Sequence, residues 1–235
     1  ADGGAIWEQF YGMRNISITG VVHGADADTY FANKQLLTKA FSLNGNGNLY
    51  ITTWDGVTRY IEANVIGMPD IQERQGETTR ADFQVQLRCP DPFFKEENEQ
   101  SLIIQLSDVG GFPLASPVST PIPFDSSFGN ITISGTVASN PVYTITGPVT
   151  NPSVRNANTN KFFTVNTVVG AGETLIVQLL GGVLDVKQGS QNKIADFTGH
   201  FIPLQVGTNT IRFTSSVFSE GASLNVTYRN NYLGL

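Results

Sequence analysis

The sequence predicts a mainly β protein in two parts: an N-terminal β-barrel or sheet with one packed helix, followed by an antiparallel β-sandwich. Hydrophobic residues make up 40% of the 235 residues and charged residues only 14%, with 24 glycines, a composition typical of short strands joined by tight turns. Apolar and polar residues alternate with period two in many short segments. The first part also contains one segment with helical spacing.

The first predicted part covers residues 1–98 and has the order β-α-β-β-β. Residues 15–22 alternate and predict a strand. Asp26 or Asp28 can then cap a helix over about residues 26–41, because a carboxylate there accepts hydrogen bonds from the first N–H groups. The apolar stripe of this helix would face the sheet and consists of Tyr30, Leu36, Leu37, Ala40 and Phe41.

Strands are predicted at 48–54 and 57–66, with Asp55-Gly56 as a two-residue hairpin turn because glycine tolerates positive φ. A charged loop at 72–79 precedes a strand at 80–89, and Pro90-Asp91-Pro92 ends this part. Cys89 is the only cysteine, so no intrachain disulfide forms. It shares the apolar face of its strand, and we interpret it as a buried core thiol.

Residues 99–128 are predicted as a Pro-rich bridging segment, with a strand at 100–107 and four prolines between Phe112 and Phe124. Residues 129–235 predict the sandwich, because short strands with Gly or Asn between them recur at regular spacing. The predicted strands are 130–135, 141–147, 153–156, 161–169, 174–180, 183–187, 199–202, 208–215 and 224–229.

The residues provide no pattern for catalysis, a metal or a cofactor, so the chain is predicted not to be an enzyme. His23 and His200 are the only histidines. His23 could form a ligand set with Asp26 and Asp28, but helix capping explains both aspartates. No nucleophile elbow or phosphate loop is present. No apolar run is long enough to predict a membrane span, and no signal peptide opens the chain.

The formal net charge of −6 is unevenly distributed. Residues 1–99 hold 8 basic and 14 acidic side chains, which gives −6. Residues 100–129 add −2, and residues 130–235 hold 6 basic and 4 acidic side chains, which gives +2. An acidic first part without a basic stripe disfavours binding to nucleic acid, because phosphate contacts need Lys and Arg.

An ordered set of motifs covers nearly the whole chain. It consists of DGGA at 2–5, YGMRNI at 11–16, WDGVTRYI at 54–61, CPDPFF at 89–94, NPVYTITGP at 140–148, NPSVRN at 151–156 and PLQVGTNTI at 203–211. In this order the motifs resemble the distal tail protein of siphovirus-type phages, which has an N-terminal barrel and a galectin-like C-terminal domain. Members of that family have a first strand and loop before the position of Asp2, so the chain is expected to be short at its N terminus.

The resemblance implies a structural hub of the phage tail tip or baseplate, located in the virion and assembled in the host cytoplasm. The first part would form a homohexameric ring that joins the tail tube protein to the tail-tip or baseplate hub protein. DNA would pass through the lumen without specific binding. The galectin-like part would project outward and hold receptor-binding or side-fibre proteins.

Loops are the candidate ring contacts, because ring subunits often exchange loops across their interfaces. The candidates are the hairpin residues Trp54, Asp55 and Gly56, the charged-loop residues Arg74 and Glu77, and the Pro-rich-segment residues Phe112 and Pro117.

The alternative function is a carbohydrate-binding module or adhesin that recognises host cell-surface glycans. Tyr143, Tyr228 or Tyr232 would then provide weak glycan contacts by stacking on a sugar ring. Against it, both tryptophans, Trp7 and Trp54, lie in the first part, and the second part lacks the sugar-contacting His–Asn–Arg set of galectins. A third interpretation, a secreted glycan-degrading enzyme, lacks the required acid and base pattern.

Overall fold

The computed structural model describes residues 11–42, 46–106, 126–217 and 221–235. Its contacts divide the chain into two compact units. The first unit runs to Lys95 and also includes Leu233–Leu235, and the second unit runs from Glu96 to Tyr232. Antiparallel strands dominate both units, which confirms the predicted mainly β class.

The first unit is a twisted sheet with one helix on it. Its elements are β1 (Arg14–His23), α1 (Ala27–Ala40), β2 (Asn46–Thr52), β3 (Thr58–Val65), β4 (Asp70–Glu73), β5 (Arg80–Cys89) and β6 (Phe94–Glu96), the last of which ends in the second unit. β5 is central: β1 pairs with all ten of its residues, while β4 and β3 pair with its two ends. β2 extends the sheet from β3.

The strand predicted at 80–89 is confirmed as β5. Alternate residues Ala81, Val85, Leu87 and Cys89 are buried, while the residues between them face outward or are half-buried. Burial raises the pKa of the Cys89 thiol, so this side chain is an inert part of the core. β4 was not predicted, because its four residues lie partly in the segment assigned to a charged loop. It forms because Ile71 packs against the cluster under the helix.

Helix α1 begins where the sequence predicts it. The Asp26 carboxylate accepts a hydrogen bond of 2.7 Å from the Thr29 N–H, and this contact lowers the pKa of Asp26. Tyr30 is 2% exposed and packs with Leu37 against the sheet. The predicted stripe was too wide, because Leu36 and Ala40 are exposed on the far side of the helix.

A three-residue polar cluster ties α1 to β4. The Glu73 carboxylate accepts hydrogen bonds from the Lys34 ammonium at 2.6 Å and from the Tyr30 hydroxyl at 2.9 Å. The bond from Lys34, followed by the bond from Tyr30, lowers the pKa of Glu73 below its ordinary value of 4.5. The cluster therefore contributes its full stabilisation at pH values above 4.5, the ordinary pKa of a glutamate. This stabilisation is lost as the pH falls through the lowered pKa of Glu73.

Glu73→Gln is therefore expected to make the stability of the first unit less dependent on pH in the acidic range. The amide can still accept from Tyr30 but does not pair with Lys34, so the variant should be less stable than the wild type at pH 7 and lose less stability between about pH 6 and 3. The urea midpoint, followed by circular dichroism at each pH, measures this. Glu77→Gln, which lies outside the cluster, is the control. Equal acid sensitivity of Glu73→Gln and wild type would contradict the assignment.

Two arginines hold residues near the C terminus on the first unit. Arg14 donates through Nη2 to the Leu233 carbonyl at 2.6 Å, and Arg59 donates through Nη1 to the Gly234 carbonyl at 3.2 Å. The Arg14 guanidinium also lies over the Phe94 ring, 5.0 Å from its centroid. Residues on β1 and β3 thus bind a segment more than 170 positions away, which explains why the first unit includes Leu233–Leu235.

The second unit is a sandwich of short strands. In chain order it contains β7 (Gln100–Gln105), β8 (Ser126–Ile133), β9 (Val142–Thr146), β10 (Val149–Thr150), β11 (Ser153–Asn156), β12 (Phe162–Val165), β13 (Val168–Val169), β14 (Thr174–Leu180), β15 (Val183–Gln188), β16 (Gln191–Asn192), a 3-10 turn (Ile194–Asp196), β17 (Phe197–Gly199), β18 (Gly207–Thr214), β19 (Ser223–Tyr228) and β20 (Asn231–Tyr232).

Two antiparallel sheets enclose the core of this unit. One has five strands in the order β17-β12-β11-β18-β8, and the other has six in the order β16-β15-β14-β9-β19-β7. β10 and β13 form a separate two-stranded pair. The inward residues of both sheets form one continuous apolar cluster, in which the largest fully buried side chains are Tyr143, Phe163 and Phe213. The predicted sandwich is therefore confirmed.

Three predicted strands of the second unit differ from the structure. The strand assigned to a bridging segment is β7, which pairs along its whole length with β19 and so belongs to the sandwich. The segment 161–169 is divided into β12 and β13 by Asn166 and Thr167. The strand expected at 199–202 lies earlier, as β17, because Phe197, Thr198 and Gly199 pair with β12.

The beginning and end of the second unit are bound to each other. The Glu96 N–H donates to the Asn230 carbonyl at 3.1 Å. The Glu96 carboxylate accepts from the Tyr232 hydroxyl at 2.5 Å and from the Asn230 amide at 3.0 Å. Arg229 adds a hydrogen bond of 3.2 Å to the Glu96 carbonyl. The chain thus enters and leaves this unit at one place.

Candidate assembly surfaces

The hairpin between β2 and β3 presents the most exposed aromatic residue in the described part of the chain. Thr53 and Val57 close the hairpin with a backbone hydrogen bond of 3.0 Å. The loop therefore has three residues, Trp54, Asp55 and Gly56, and the predicted two-residue turn was wrong. Gly56 has a φ of +83°, as expected for the last residue of a three-residue hairpin loop.

Hydrogen bonds within the loop stabilise its conformation. The Asp55 carboxylate accepts from the Thr53 hydroxyl and, at 3.3 Å, from the Val57 N–H. Both hydrogen bonds lower the pKa of Asp55, and the bond from Thr53 has the larger effect. The Trp54 side chain is 99% exposed. A large apolar side chain is thus fully exposed on a hydrogen-bonded loop, and tryptophan is one of the residue types enriched at protein interfaces.

The loop between β4 and β5 contains the predicted residues Arg74 and Glu77. The Glu77 N–H donates to the Arg74 carbonyl at 3.1 Å, which makes a turn. Arg74 pairs with Asp82 at 2.9 Å, with 65% of the Arg74 side chain and 41% of the Asp82 side chain exposed, so solvent screens the pair and it adds little stability. The other two predicted interface residues, Phe112 and Pro117, lie outside the described residues.

The three tyrosines proposed as glycan contacts differ in how deeply their side chains are buried. Tyr143 was a wrong choice, because it is fully buried and donates to the Ile202 carbonyl at 2.7 Å. Burial raises the pKa of its hydroxyl far above the ordinary value. Tyr228 and Tyr232 are half-buried, and their hydroxyls donate to Gln100 and Glu96 respectively.

The two histidines lie in different units, and neither is part of a metal-ligand cluster in the described residues. His23 ends β1, and His200 follows β17 with its backbone N–H bonded to the Phe162 carbonyl. Over the described ranges, no group of three or more His, Cys, Asp and Glu side chains is arranged to hold a metal ion. None of the helices in the described residues is long and apolar enough to span a membrane.

One surface row was not predicted from the sequence. On the outer face of the five-stranded sheet, Phe128 pairs with Arg212, Arg212 with Arg155, and Arg155 with Phe162. We call these four residues the Arg–Phe row. Alternation within each strand indicates that each side chain faces outward, but no local signal shows that they adjoin. Their adjacency depends on the register between strands far apart in the sequence.

Part of the chain is similar to a known protein family. Residues 134–232 match the family model described as the siphovirus-type tail component, C-terminal domain. The match begins just after β8 and ends with β20, so it covers most of the sandwich. None of the curated proteins matches the chain.

Proposed function

We propose that the chain is the hub of a siphovirus-type phage tail tip and belongs to the distal tail family, and the match of residues 134–232 to the siphovirus-type tail component, C-terminal domain, supports this. In this role six copies form a ring through their first units. The ring joins the tail tube protein to the tail-tip or baseplate hub protein. The second units hold receptor-binding or side-fibre proteins.

The exposed hairpin of the first unit is the observation that best supports the ring. A Trp54 side chain that is 99% exposed gains a large apolar contact when a neighbouring copy covers it. Buried aromatic anchors contribute much of the binding energy at protein interfaces. Because Asp55 already orders the loop, little conformational entropy is lost on binding. We therefore assign the hairpin to the contact between adjacent copies.

Trp54→Ala is expected to weaken ring assembly without destabilising the monomer. Loss of an interface anchor costs about 2–4 kcal/mol, which raises the dissociation constant at least about 30-fold. Sedimentation velocity of the purified chain, alone and with its tail neighbours, measures the assembly. The urea midpoint should stay unchanged, because the side chain makes little contact within its own subunit.

Leu36→Ala is the matched control, since Leu36 is also exposed in the first unit, on α1. Its hexamer should be as stable as that of the wild type. A Trp54→Ala hexamer of wild-type stability would overturn the assignment of the hairpin. A wild-type chain that stays monomeric at high concentration and in the presence of the neighbouring tail proteins would contradict the proposed hexameric ring.

The acidic first part fits a channel for DNA. Six copies of residues 1–99, each with a formal charge of −6, would place about −36 around the lumen, and salt screens this charge beyond roughly 8–10 Å. Repulsion at close range would keep the DNA sliding. An imaged ring whose acidic residues face outward around a basic lumen would contradict this hypothesis.

One of the three residues predicted to contact a glycan, Tyr143, is inaccessible to a ligand. Tyr143 is in the core, and the hydroxyls of Tyr228 and Tyr232 are engaged within the protein. Nothing in the described residues favours a sugar site over a protein-docking role for the sandwich. Saturable binding of host cell-wall polysaccharide, lost in Tyr228→Ala, would reverse this ranking.

A further inference from the structure

The sheet of the first unit has a groove across three neighbouring strands, β1, β5 and β4. Two rows of cross-strand partners form its walls. The first row consists of Thr19, Gln84 and Asp70, and the second consists of Val21, Asp82 and Gln72. Gly20 and Phe83, which pair with each other, lie between the two rows. We call the surface formed by these residues the sheet groove.

The sheet groove lies on the side of the sheet away from α1. Val22 and Ala81 are buried with Tyr30 under the helix. Val21 and Asp82 alternate with them along β1 and β5, so these two side chains point to the opposite face. This face of the sheet is therefore the one that α1 leaves accessible.

The dimensions of the groove fit a flat aromatic ring. Its volume is about 380 Å³, whereas a cavity of about 150 Å³ already accommodates benzene. The two rows are roughly 6.7 Å apart, because they contain residues two positions apart on each strand. A ring between them contacts carbon atoms on both sides at about 3.5 Å.

The walls of the groove combine an apolar surface with hydrogen-bond acceptors. Val21 is 41% exposed and provides the apolar surface. The Asp70 carboxylate accepts a hydrogen bond of 3.1 Å from the Gln72 amide and can accept further bonds, since a carboxylate has about four lone-pair sites. Asp82 is paired with Arg74. An indole matches these walls, because its ring is apolar and its N–H only donates.

The Trp54 hairpin lies at the opposite end of the same sheet. β4 pairs with β5 at residues 81–84, whereas β3 pairs with β5 farther along, through Asn64 and Val65. Because β3 is antiparallel to β5, it runs back from Asn64 to Thr58 in the direction away from β4, a length of roughly 20 Å. Trp54 is 99% exposed, so it does not occupy the groove of its own subunit.

We propose that the sheet groove receives the Trp54 side chain of a neighbouring copy. The inference rests on the proposed ring and names the site that completes its hairpin contact. Subunits of a ring meet through two different surfaces of each copy, and a protruding hairpin with a groove at the other end of the sheet forms such a pair. The indole packs against Val21 and donates its N–H to Asp70, since buried tryptophan N–H groups usually bind an acceptor.

Chemical cross-linking of the full-length chain tests the contact, because Cys89 is the only native thiol and is buried. Val57→Cys, beside the hairpin tip, is combined with Thr19→Cys in the groove, so that Trp54 stays in place. A short bis-maleimide should join neighbouring copies into a ladder of covalent oligomers up to the hexamer on a denaturing gel. The matched control, Val57→Cys with Gln35→Cys on the exposed side of α1, should give no ladder.

Val21→Lys measures how much the groove contributes to assembly. A charged side chain in the groove is expected to weaken the ring at least about tenfold. Asn15→Lys adds the same charge to β1 outside the groove and should change assembly less than about twofold. Val21→Lys with Trp54→Ala should be no more than about threefold weaker than Trp54→Ala alone, because both changes remove one contact. Circular dichroism verifies that each variant is folded.

The outcomes separate the groove from the ring. A wild-type ring in sedimentation velocity, without the ladder between hairpin and groove, would overturn the groove as the receiving site and leave the ring in place. Normal assembly of Val21→Lys would do the same. A wild-type chain that does not assemble, even with the neighbouring tail proteins, would overturn both the ring and this contact.

Discussion

Replacing Tyr143 with alanine is expected to lower the free energy of unfolding of the second unit by about 3–5 kcal/mol, the range for removing a large aromatic side chain from a packed core. Tyr143 lies on β9 in the middle of the six-stranded sheet and is fully buried. Its ring packs edge-on against Phe163 of the other sheet, with 5.3 Å between centroids. Its hydroxyl satisfies the Ile202 carbonyl.

Two variants separate the contributions to this effect. Tyr143→Phe keeps the ring and removes only the hydrogen bond, so a loss of about 1–3 kcal/mol is expected. Tyr50→Ala removes a tyrosine that is 52% exposed in the first unit and contacts only the ring of its cross-strand partner Tyr60 among the described aromatic residues, and it should change stability by no more than about 1 kcal/mol. Urea unfolding gives the free energies, and hydrogen exchange of β9 and β12 localises the change. A loss under about 1 kcal/mol for Tyr143→Ala would contradict the core role.

The second large effect is expected at Asn209, which organises the turn into β18. Its side-chain oxygen accepts from the Gln205 N–H and from the Asn156 amide, both at 2.9 Å. Its amide nitrogen donates to the Gln205 carbonyl at 2.7 Å and to the Gly207 carbonyl at 3.1 Å. Asn209→Ala leaves several buried polar groups unsatisfied, so we expect a loss of about 3 kcal/mol or more.

A double-mutant cycle with Asn156 tests this network. Asn156 is also fully buried, and its own side-chain oxygen accepts from the Asn158 N–H at 3.0 Å. The two alanine variants should couple by about 1 kcal/mol, measured by urea unfolding. Asn130→Ala, which removes an exposed hydrogen bond to Thr210, should cost no more than about 0.5 kcal/mol. Strict additivity of Asn156→Ala and Asn209→Ala would show that the network does not act as one unit.

Local sequence patterns were sufficient to predict those features of a strand or helix that depend only on the residues within it. Alternation alone gave the bounds of β5 and the burial of Cys89, and a carboxylate at Asp26 gave the start of α1. The same rule could have corrected the tyrosine assignment. Tyr143 has the same parity as Ile145 in β9, and both are fully buried, so the alternation that predicted the strand also indicated an inward tyrosine.

Features that depend on distant pairing could not be predicted in this way. β7 joins the sandwich because it pairs with β19, more than 110 residues later, and no property of residues 100–105 specifies that partner. The Arg–Phe row needs the register of four strands at once. The loop length at Trp54 depended on one bond between Thr53 and Val57, since an Asp-Gly sequence fits a two-residue or a three-residue loop.

The closure of the second unit at Glu96, Asn230 and Tyr232 has a consequence for how this protein can change. Since the chain leaves the first unit after Lys95 and returns to it at Leu233, the sandwich is an insertion with adjoining ends rather than an appended tail. Domains with adjoining ends are the ones that tolerate grafting. A phage could therefore exchange residues 96–232 for a different domain in one step, while Arg14 and Arg59 continue to bind the returning chain.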